Sequence, residues 1–171
     1  MIFRLSQKLA TKIKVGKLCD MPLDENPLAD WSCHLFNADR TQYIIMSNSP
    51  SMYSCVMYGK GIPDESIFIK RALNTIREFM EDDGQSLIFQ RHIAPASGEV
   101  SFAKALNRSV TGSTNELVMA AKAQLELGGI SPHSVGFTLN DFLLSAIAPE
   151  GKRSYGKPNG AFELLTDRYT Q

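Results

Sequence analysis

One stretch of the sequence, Asn107 to Leu117, concentrates side chains that bind anions. It holds an arginine at position 108 and a glycine at position 112, together with these amide and hydroxyl residues: Asn107, Ser109, Thr111, Ser113, Thr114 and Asn115. Guanidinium, hydroxyl and free backbone N–H groups are the donors with which proteins bind phosphates and carboxylates. The stretch lacks the Gly-Lys-Ser/Thr of a P-loop and the pattern G-x-G-x-x-G. The candidate ligand-binding residues are therefore Arg108, Ser109, Gly112, Ser113 and Asn115.

The residues after Gly112 predict the element that would present this site. Gly112 suits a tight turn, and Ser113 followed by Glu116 has the spacing of a capping box. A helix is expected from Thr114 to Leu127, and because it is apolar on nearly every face it should be buried. The positive end of its dipole would attract an anion. Alternatively, Ser113 and Glu116 only cap the helix, and the Glu116 charge fills the space that an anion would need.

Other patterns for catalysis or metal binding are weak. The histidines at positions 34, 92 and 133 lack metal-ligand spacing, and the three cysteines form no Cys-x-x-Cys pair. Ser101 and Lys104 match S-x-x-K, but this segment is predicted to be a strand, so we attribute the match to chance. No general base or nucleophile stands beside Arg108 in the sequence. We therefore expect no metal and no cofactor, and the sequence favours binding over catalysis.

Length and composition predict one globular domain spanning residues 1–171. Lysine plus arginine and aspartate plus glutamate number 18 each, so no net charge attracts the whole chain to nucleic acid. The longest apolar run, around Phe142 to Ala148, is too short to cross a membrane. The N-terminus lacks the apolar stretch of a signal peptide, and unpaired cysteines suit a reducing compartment. The expected location is the cytoplasm.

Basic residues form two local groups. Arg4 and four lysines precede the first acid, Asp20, and these lysines are Lys8, Lys12, Lys14 and Lys17. They predict either a phosphate-facing patch or, more simply, the solvated face of an amphipathic helix. A second group with one tyrosine, residues 152–157, would be a flexible loop able to touch phosphates. Nucleic acid is thus a weakly supported partner.

Apolar periodicity predicts an α+β fold, a mainly antiparallel sheet with three or four helices packed on it. The predicted strands cover residues 2–5, 31–36, 42–47, 52–58, 87–93 and 99–104. Besides the helix after Ser113, predicted helices begin after Ser6, cover Asp64 to Asp83, and run from Asn140 to Ile147. The strands between Trp31 and Tyr58 should form an antiparallel meander. Residues 150–160 are expected to be a loop and residues 162–165 a short final element.

The segment from Arg108 to Leu117, written R-S-V-x-G-S-x-N-E-L, resembles the motif R-S-V-x-G-S-M-N-D-L of an uncharacterised bacterial family. The chain has Thr114 where the motif has methionine, and Glu116 where it has aspartate. The resemblance extends to the meander from Trp31 to Val56 and to the opening strand and helix, and so covers most of the chain up to about residue 125. It implies a bacterial α+β domain of unknown function.

The sequence leaves three functions open. The first is a cytoplasmic binding or interaction module whose ligand, a protein or a nucleic acid, contacts the segment from Asn107 to Glu116. The second is a small enzyme acting on a phosphorylated or nucleotide substrate, with Arg108 holding the anion and Asn115 orienting it. The third is a structural subunit of an oligomer.

Overall fold

A five-stranded mixed sheet with helices on both faces organises the fold. The computed structural model describes residues 1–148 and 155–170. The strands are β1 (Ile2–Leu5), β2 (Asp30–Ala38), β3 (Thr41–Asn48), β4 (Ser54–Tyr58) and β5 (Ser101–Ala103). The helices are α1 (Gln7–Lys12), α2 (Glu65–Asp82), α3 (Ser86–Ile88), α4 (Arg108–Leu127), α5 (Pro132–Leu139) and α6 (Pro158–Thr170). The predicted α+β class is confirmed, with six helices in the described ranges where three or four were expected.

The strands lie in the order β4-β3-β2-β1-β5. The meander of β2, β3 and β4 is confirmed, and its pairings are antiparallel and the longest of the sheet. β1 instead pairs parallel with β2 on one side and with β5 on the other. Parallel neighbours need a crossover connection, which α1 and the segment up to residue 29 supply between β1 and β2. The last β1–β2 pair is Leu5 with Cys33, so β2 continues to Ala38 with no described strand paired on that side.

The predicted start of α1 after Ser6 is confirmed, and α2, predicted to cover Asp64 to Asp83, begins at Glu65 with Asp64 as its cap. The Ser6 side chain accepts a hydrogen bond from the amide of Leu9 (3.3 Å), and the Asp64 carboxylate accepts one from the amide of Ile67 (2.9 Å). Each cap satisfies one of the amides that a helix start leaves unpaired. These two starts depend on neighbouring residues only, which is why the sequence predicts them.

The two faces of the sheet have separate apolar cores. On one face, α1, α2 and α6 cover a core that includes Phe3, Trp31 and Phe162. On the other, α4 and α5 cover a smaller core that includes Phe36 and Leu117. Alternate strand residues point to opposite faces, so Leu35 packs with the first core and Phe36 with the second.

Asp39 and Arg40 form the two-residue turn that joins β2 to β3. Their φ angles are both positive, 43° and 61°, as in a type I′ hairpin turn, which favours asparagine, aspartate and glycine. The left-handed conformation costs an L-residue about 1–2 kcal/mol because its Cβ approaches the following carbonyl oxygen. Arg40 therefore occupies a position where glycine would be the least strained residue.

The strand predicted at residues 87–93 is wrong. This segment forms α3 and a following π-helical turn, Phe89–Ile93. Its buried members are Ile88, Phe89 and Ile93, whereas Gln90 and Arg91 are exposed. A single turn of helix places those three apolar side chains on one side, and a short apolar run cannot distinguish that arrangement from a strand.

The helix predicted from Asn140 to Ile147 is also wrong. The helix lies before this segment, as α5, and Asn140 is its C-terminal cap. The Asn140 side chain accepts a hydrogen bond from the amide of Ser54 (2.7 Å) and donates one to the Ser54 carbonyl (3.0 Å), at the edge of the sheet. The side-chain amide of Asn140 therefore binds the backbone of a distant strand, whereas the sequence pattern predicted that it would lie at the start of a helix.

The end of the chain is more helical than expected. The loop predicted at residues 150–160 falls partly on residues 149–154, outside the described residues, and α6 begins at Pro158 inside the remainder. The final element predicted at 162–165 belongs to this thirteen-residue helix. Phe162 anchors α6 by stacking on Tyr53, with ring centroids 4.2 Å apart.

Candidate functional site

The predicted Gly112 turn is part of a helix. α4 begins at Arg108, and its N-terminal cap is Asn107, whose side-chain oxygen accepts a hydrogen bond from the amide of Val110 (2.9 Å). The predictions that Ser113 caps the helix and that Glu116 completes a capping box are therefore wrong. Asparagine caps helices as well as serine does, so Asn107 was an available signal that the glycine at position 112 obscured.

The helix separates the candidate ligand-binding residues onto different faces. Arg108, Gly112 and Asn115 lie three or four residues apart and are exposed on one side of α4, and Ser109 is also exposed. Ser113 is buried, and its hydroxyl has no hydrogen-bond partner within the described part of the chain. It therefore cannot face the same ligand as Arg108.

Gly112 lies neither in a turn nor in close contact with another element. A Cβ atom added there would meet nothing within 4 Å, and the residue lies inside the helix. Arg108 is exposed and has no ion-pair partner among residues 1–148 and 155–170. It lines none of the cavities described below. A ligand site at Arg108, Ser109 and Asn115 stays a prediction.

A cavity of about 640 Å³ lies between α1, the β2–β3 hairpin and the C-terminal half of α4. We call it the α1–α4 cavity, and its lining residues are Gln7, Lys8, Thr11, Leu35, Phe36, Asn37, Gln42, Val118 and Lys122. It forms where β1 ends at Leu5 while β2 continues, which leaves the free side of β2 uncovered. The register of the sheet therefore creates the cavity.

Lys8 of α1 and Lys122 of α4 bring positive charge to the α1–α4 cavity from two helices. None of the described residues lining it is acidic. Neither lysine has an ion-pair partner in the part of the chain that the structure describes. Two uncompensated cations at one concave surface attract an anion more strongly than either does on an open surface.

A second cavity, of about 410 Å³, adjoins the first at the tip of the hairpin. We call it the hairpin cavity, and its lining residues are Lys12, Asn37, Arg40, Thr41, Gln42, Lys60 and Gly61. Asn37 and Gln42 line both cavities. The second cavity adds three cations, and again none of its described lining residues is acidic.

The basic N-terminal run is thus divided among different roles. Arg4 is buried and paired with Asp30, whereas Lys8 and Lys12 each line one of the two cavities. Lys14 and Lys17 line neither. Because acidic and basic residues balance over the chain, composition does not reveal this concentration of positive charge.

The titratable groups suited to acid–base or nucleophilic chemistry lie away from both cavities. His34, His92 and His133 line neither of them. His34 is half-buried in β2, and burial lowers its pKa because the charged imidazolium loses solvation. His133 contacts Asp82 (2.9 Å). Burial raises the pKa of the Cys33 thiol, which lies in the core.

The second basic group of the sequence has only one end in the described structure. Residues 152–154 lie outside the described residues. Lys157 pairs with Asp141 at 3.4 Å, with both side chains largely exposed. An exposed pair of this kind contributes little to stability, and nothing described at this end forms a cavity with the hairpin.

Residues 2–161 match the family described as Domain of unknown function (DUF6933). The chain belongs to that family. The resemblance to an uncharacterised family is thereby confirmed, and the match extends well past residue 125, into α6. The family description assigns no activity, and a search of the curated proteins found no match.

Two features are absent from the residues that the structure describes. No helix there is both long and apolar enough to cross a membrane. No group of three or more histidine, cysteine, aspartate or glutamate side chains could together hold a metal ion. The concave basic surface formed by the two cavities is therefore the feature from which a function can be argued.

Proposed function

We propose that this protein binds a phosphorylated small molecule of the nucleotide class, non-covalently, in the α1–α4 cavity. The observation that carries the proposal is the pair Lys8 and Lys122, which line one cavity without an acidic neighbour in the described lining. Ammonium groups bind phosphate as point charges with several donors each. Placed on two helices, they would hold an anion from opposite sides.

The size and remaining lining of the cavity support a ligand larger than an inorganic anion. Its volume of about 640 Å³ lies within the roughly 300–1,000 Å³ of small-molecule sites. Phe36 and Val118, which lie on the face of the sheet that α4 covers, supply an apolar surface against which a ring can pack. Gln7 and Gln42 can donate and accept hydrogen bonds with polar groups of such a ring.

The lining supports binding rather than catalysis. A hydrolase or transferase needs a general base or nucleophile within hydrogen-bond reach of its substrate. Among the described residues lining the α1–α4 cavity there is no carboxylate, histidine or cysteine. We extend the proposal to a cytoplasmic location, which the three free cysteines support.

The test is isothermal titration of inorganic pyrophosphate and the common nucleoside monophosphates into the wild type and a Lys8→Gln/Lys122→Gln variant. Loss of two charge-assisted contacts should weaken binding by roughly a hundredfold. Wild-type affinity should also fall with added salt, since screening acts on exposed charges. Lys70→Gln is the matched control, because Lys70 is an exposed helical lysine that lines neither cavity.

Failure of every probe to bind the wild type would overturn the proposal, and so would equal binding by the double variant. Arg108→Gln separates this site from the one predicted at the start of α4. Residues 108 and 122 are fourteen positions apart on α4, or about 21 Å along its axis, too far for one small ligand. If Arg108→Gln abolishes binding and Lys8→Gln/Lys122→Gln does not, the ligand binds at Arg108 and Asn115 instead of in the α1–α4 cavity.

A further inference from the structure

The hairpin cavity adjoins the α1–α4 cavity and, like it, is lined by cations without a described acidic neighbour. Asn37 and Gln42 face each other across β2 and β3 and line both cavities. Lys12, Arg40 and Lys60 line the second, and none has an ion-pair partner among the described residues. A ligand that extends from the first cavity past Asn37 and Gln42 therefore enters a second cationic cluster.

Arg40 reaches that cluster from a strained backbone position. Its φ of 61° is a conformation that glycine adopts at little cost. This turn position favours glycine, which has no side chain, yet it carries the long cationic side chain of Arg40. Strained residues concentrate at ligand-binding positions, where the surrounding structure holds them in place.

Lys60 is held in position by another residue. The Arg71 guanidinium donates hydrogen bonds to the backbone carbonyls of Lys60 (2.7 Å) and Tyr58 (3.0 Å). Arg71 thereby ties the segment after β4 to α2, and Lys60 is presented from a fixed backbone. The cations at this end are thus mounted on three elements: α1, the hairpin turn and the segment after β4.

α1 sets a scale for the spacing of the two clusters, because it contributes one lysine to each. Lys8 lines one cavity and Lys12 the other, and residues four apart on a helix are separated by about 6 Å along its axis. Two phosphates attached to one sugar, at its 3′ and 5′ positions, are separated by a comparable distance. Phosphates joined directly, as in a diphosphate, are too close to occupy both clusters.

We infer that the two cavities form one bipartite site for a ligand carrying two phosphates across a single sugar, with Arg40 and Lys60 binding the second phosphate. The inference rests on the proposed function, because the first phosphate occupies the site of Lys8 and Lys122. Both a nucleoside 3′,5′-bisphosphate and successive nucleotides of a single strand have this chemistry. The phosphate spacing, rather than the base, determines the selectivity of the second cluster.

The test compares adenosine 5′-monophosphate with adenosine 3′,5′-bisphosphate by isothermal titration. In the wild type the bisphosphate should bind at least roughly tenfold more tightly, the contribution of one further charge-assisted contact. In Arg40→Gly/Lys60→Gln this advantage should disappear while monophosphate affinity stays unchanged. Glycine at position 40 relieves the backbone strain of the turn, so unfolding of the variant does not explain a loss of bisphosphate binding. The single variant Arg40→Lys, which keeps the positive charge, should retain part of the bisphosphate advantage.

Equal wild-type affinity for the two probes, or an advantage that persists in the double variant, would overturn the inference and leave the proposed function intact. Failure of both probes to bind would overturn the inference, and it would overturn the proposed function as well if pyrophosphate and the other nucleoside monophosphates also failed to bind. A 5′-phosphorylated octadeoxyadenylate distinguishes the sources of the ligand. Binding tighter than that of the bisphosphate, and weakened in Arg40→Gly/Lys60→Gln, identifies a strand, and equal or weaker binding identifies a small molecule.

Discussion

Arg4 and Asp30 form a bidentate ion pair inside the protein, with Nε–Oδ1 and Nη2–Oδ2 distances of 2.7 Å. Both side chains are almost completely buried. The remaining guanidinium hydrogens go to the backbone carbonyls of Met21, Pro22 and Lys104, at 2.7 to 3.2 Å. Arg4, which lies in β1, is thus hydrogen-bonded to the start of β2, to the segment that precedes β2 and to the residue that follows β5.

Because this arginine is fully hydrogen-bonded, removal of its partner leaves a buried, uncompensated charge. We expect Asp30→Ala to lower the free energy of unfolding by about 3–5 kcal/mol, measured by urea denaturation. The control is Asp20→Ala, which breaks the exposed pair with Lys104 (3.1 Å) and should cost under about 1 kcal/mol. Similar losses in the two variants would contradict a special role for the buried pair.

The start of α4 can be located by comparing two alanine variants. Asn107→Ala removes the capping oxygen and should reduce stability by about 1 kcal/mol. Ser113→Ala removes a buried hydroxyl without a described partner, so it should be neutral or stabilising by up to about 1 kcal/mol. Chemical denaturation of both variants tests this. A larger loss from Ser113→Ala would mean that the hydroxyl has a partner, such as an ordered water.

Two glycines inside helices should respond oppositely to alanine. At Gly136 of α5 the added Cβ would lie 2.5 Å from the ring of Phe79, which is fully buried and packed against Phe137 and Tyr53. Gly136→Ala should therefore cost about 1–3 kcal/mol. At Gly112 the space is open, and Gly112→Ala should stabilise α4 by roughly 0.5–1 kcal/mol. Thermal and urea unfolding of both variants provide the measurement, and a destabilised Gly112→Ala would indicate that α4 is not helical there.

Acid should weaken the fold through His34. Burial lowers the pKa of this imidazole in the folded state, so the unfolded state takes up the proton first. The contribution of His34 to stability is complete above the unfolded pKa of about 6.5 and is lost as the pH falls from there to the lower folded pKa.

The wild type should therefore lose more unfolding free energy between about pH 7.5 and pH 5 than His34→Gln, in which position 34 cannot titrate. Urea denaturation at several pH values gives both slopes. Identical slopes would show that the folded state protonates His34 without penalty.

How far the sequence predicts this structure depends on the range of the interactions involved. The starts of α1 and α2 and the meander from Trp31 to Tyr58 were predicted because each depends on residues close together in the chain. The segment at 87–93 and the amide of Asn140 were misassigned because distant partners decide their structure. For Asn140 that partner is Ser54.

The same distinction between short-range and long-range interactions applies to the candidate site. By itself, the sequence determined the α+β class, the chemistry of the basic residues near the N-terminus and the presence of a polar start to α4, since these depend on composition and short spacing. Only the tertiary structure decided which cations share a surface. Lys8 and Lys122 line one cavity because β1 pairs with β2 and stops at Leu5, while β2 runs on to Ala38. The end of β1 follows from the local start of α1 after Ser6, but the pairing of β1 with β2 joins segments far apart in the chain, and no local pattern in either strand encodes it.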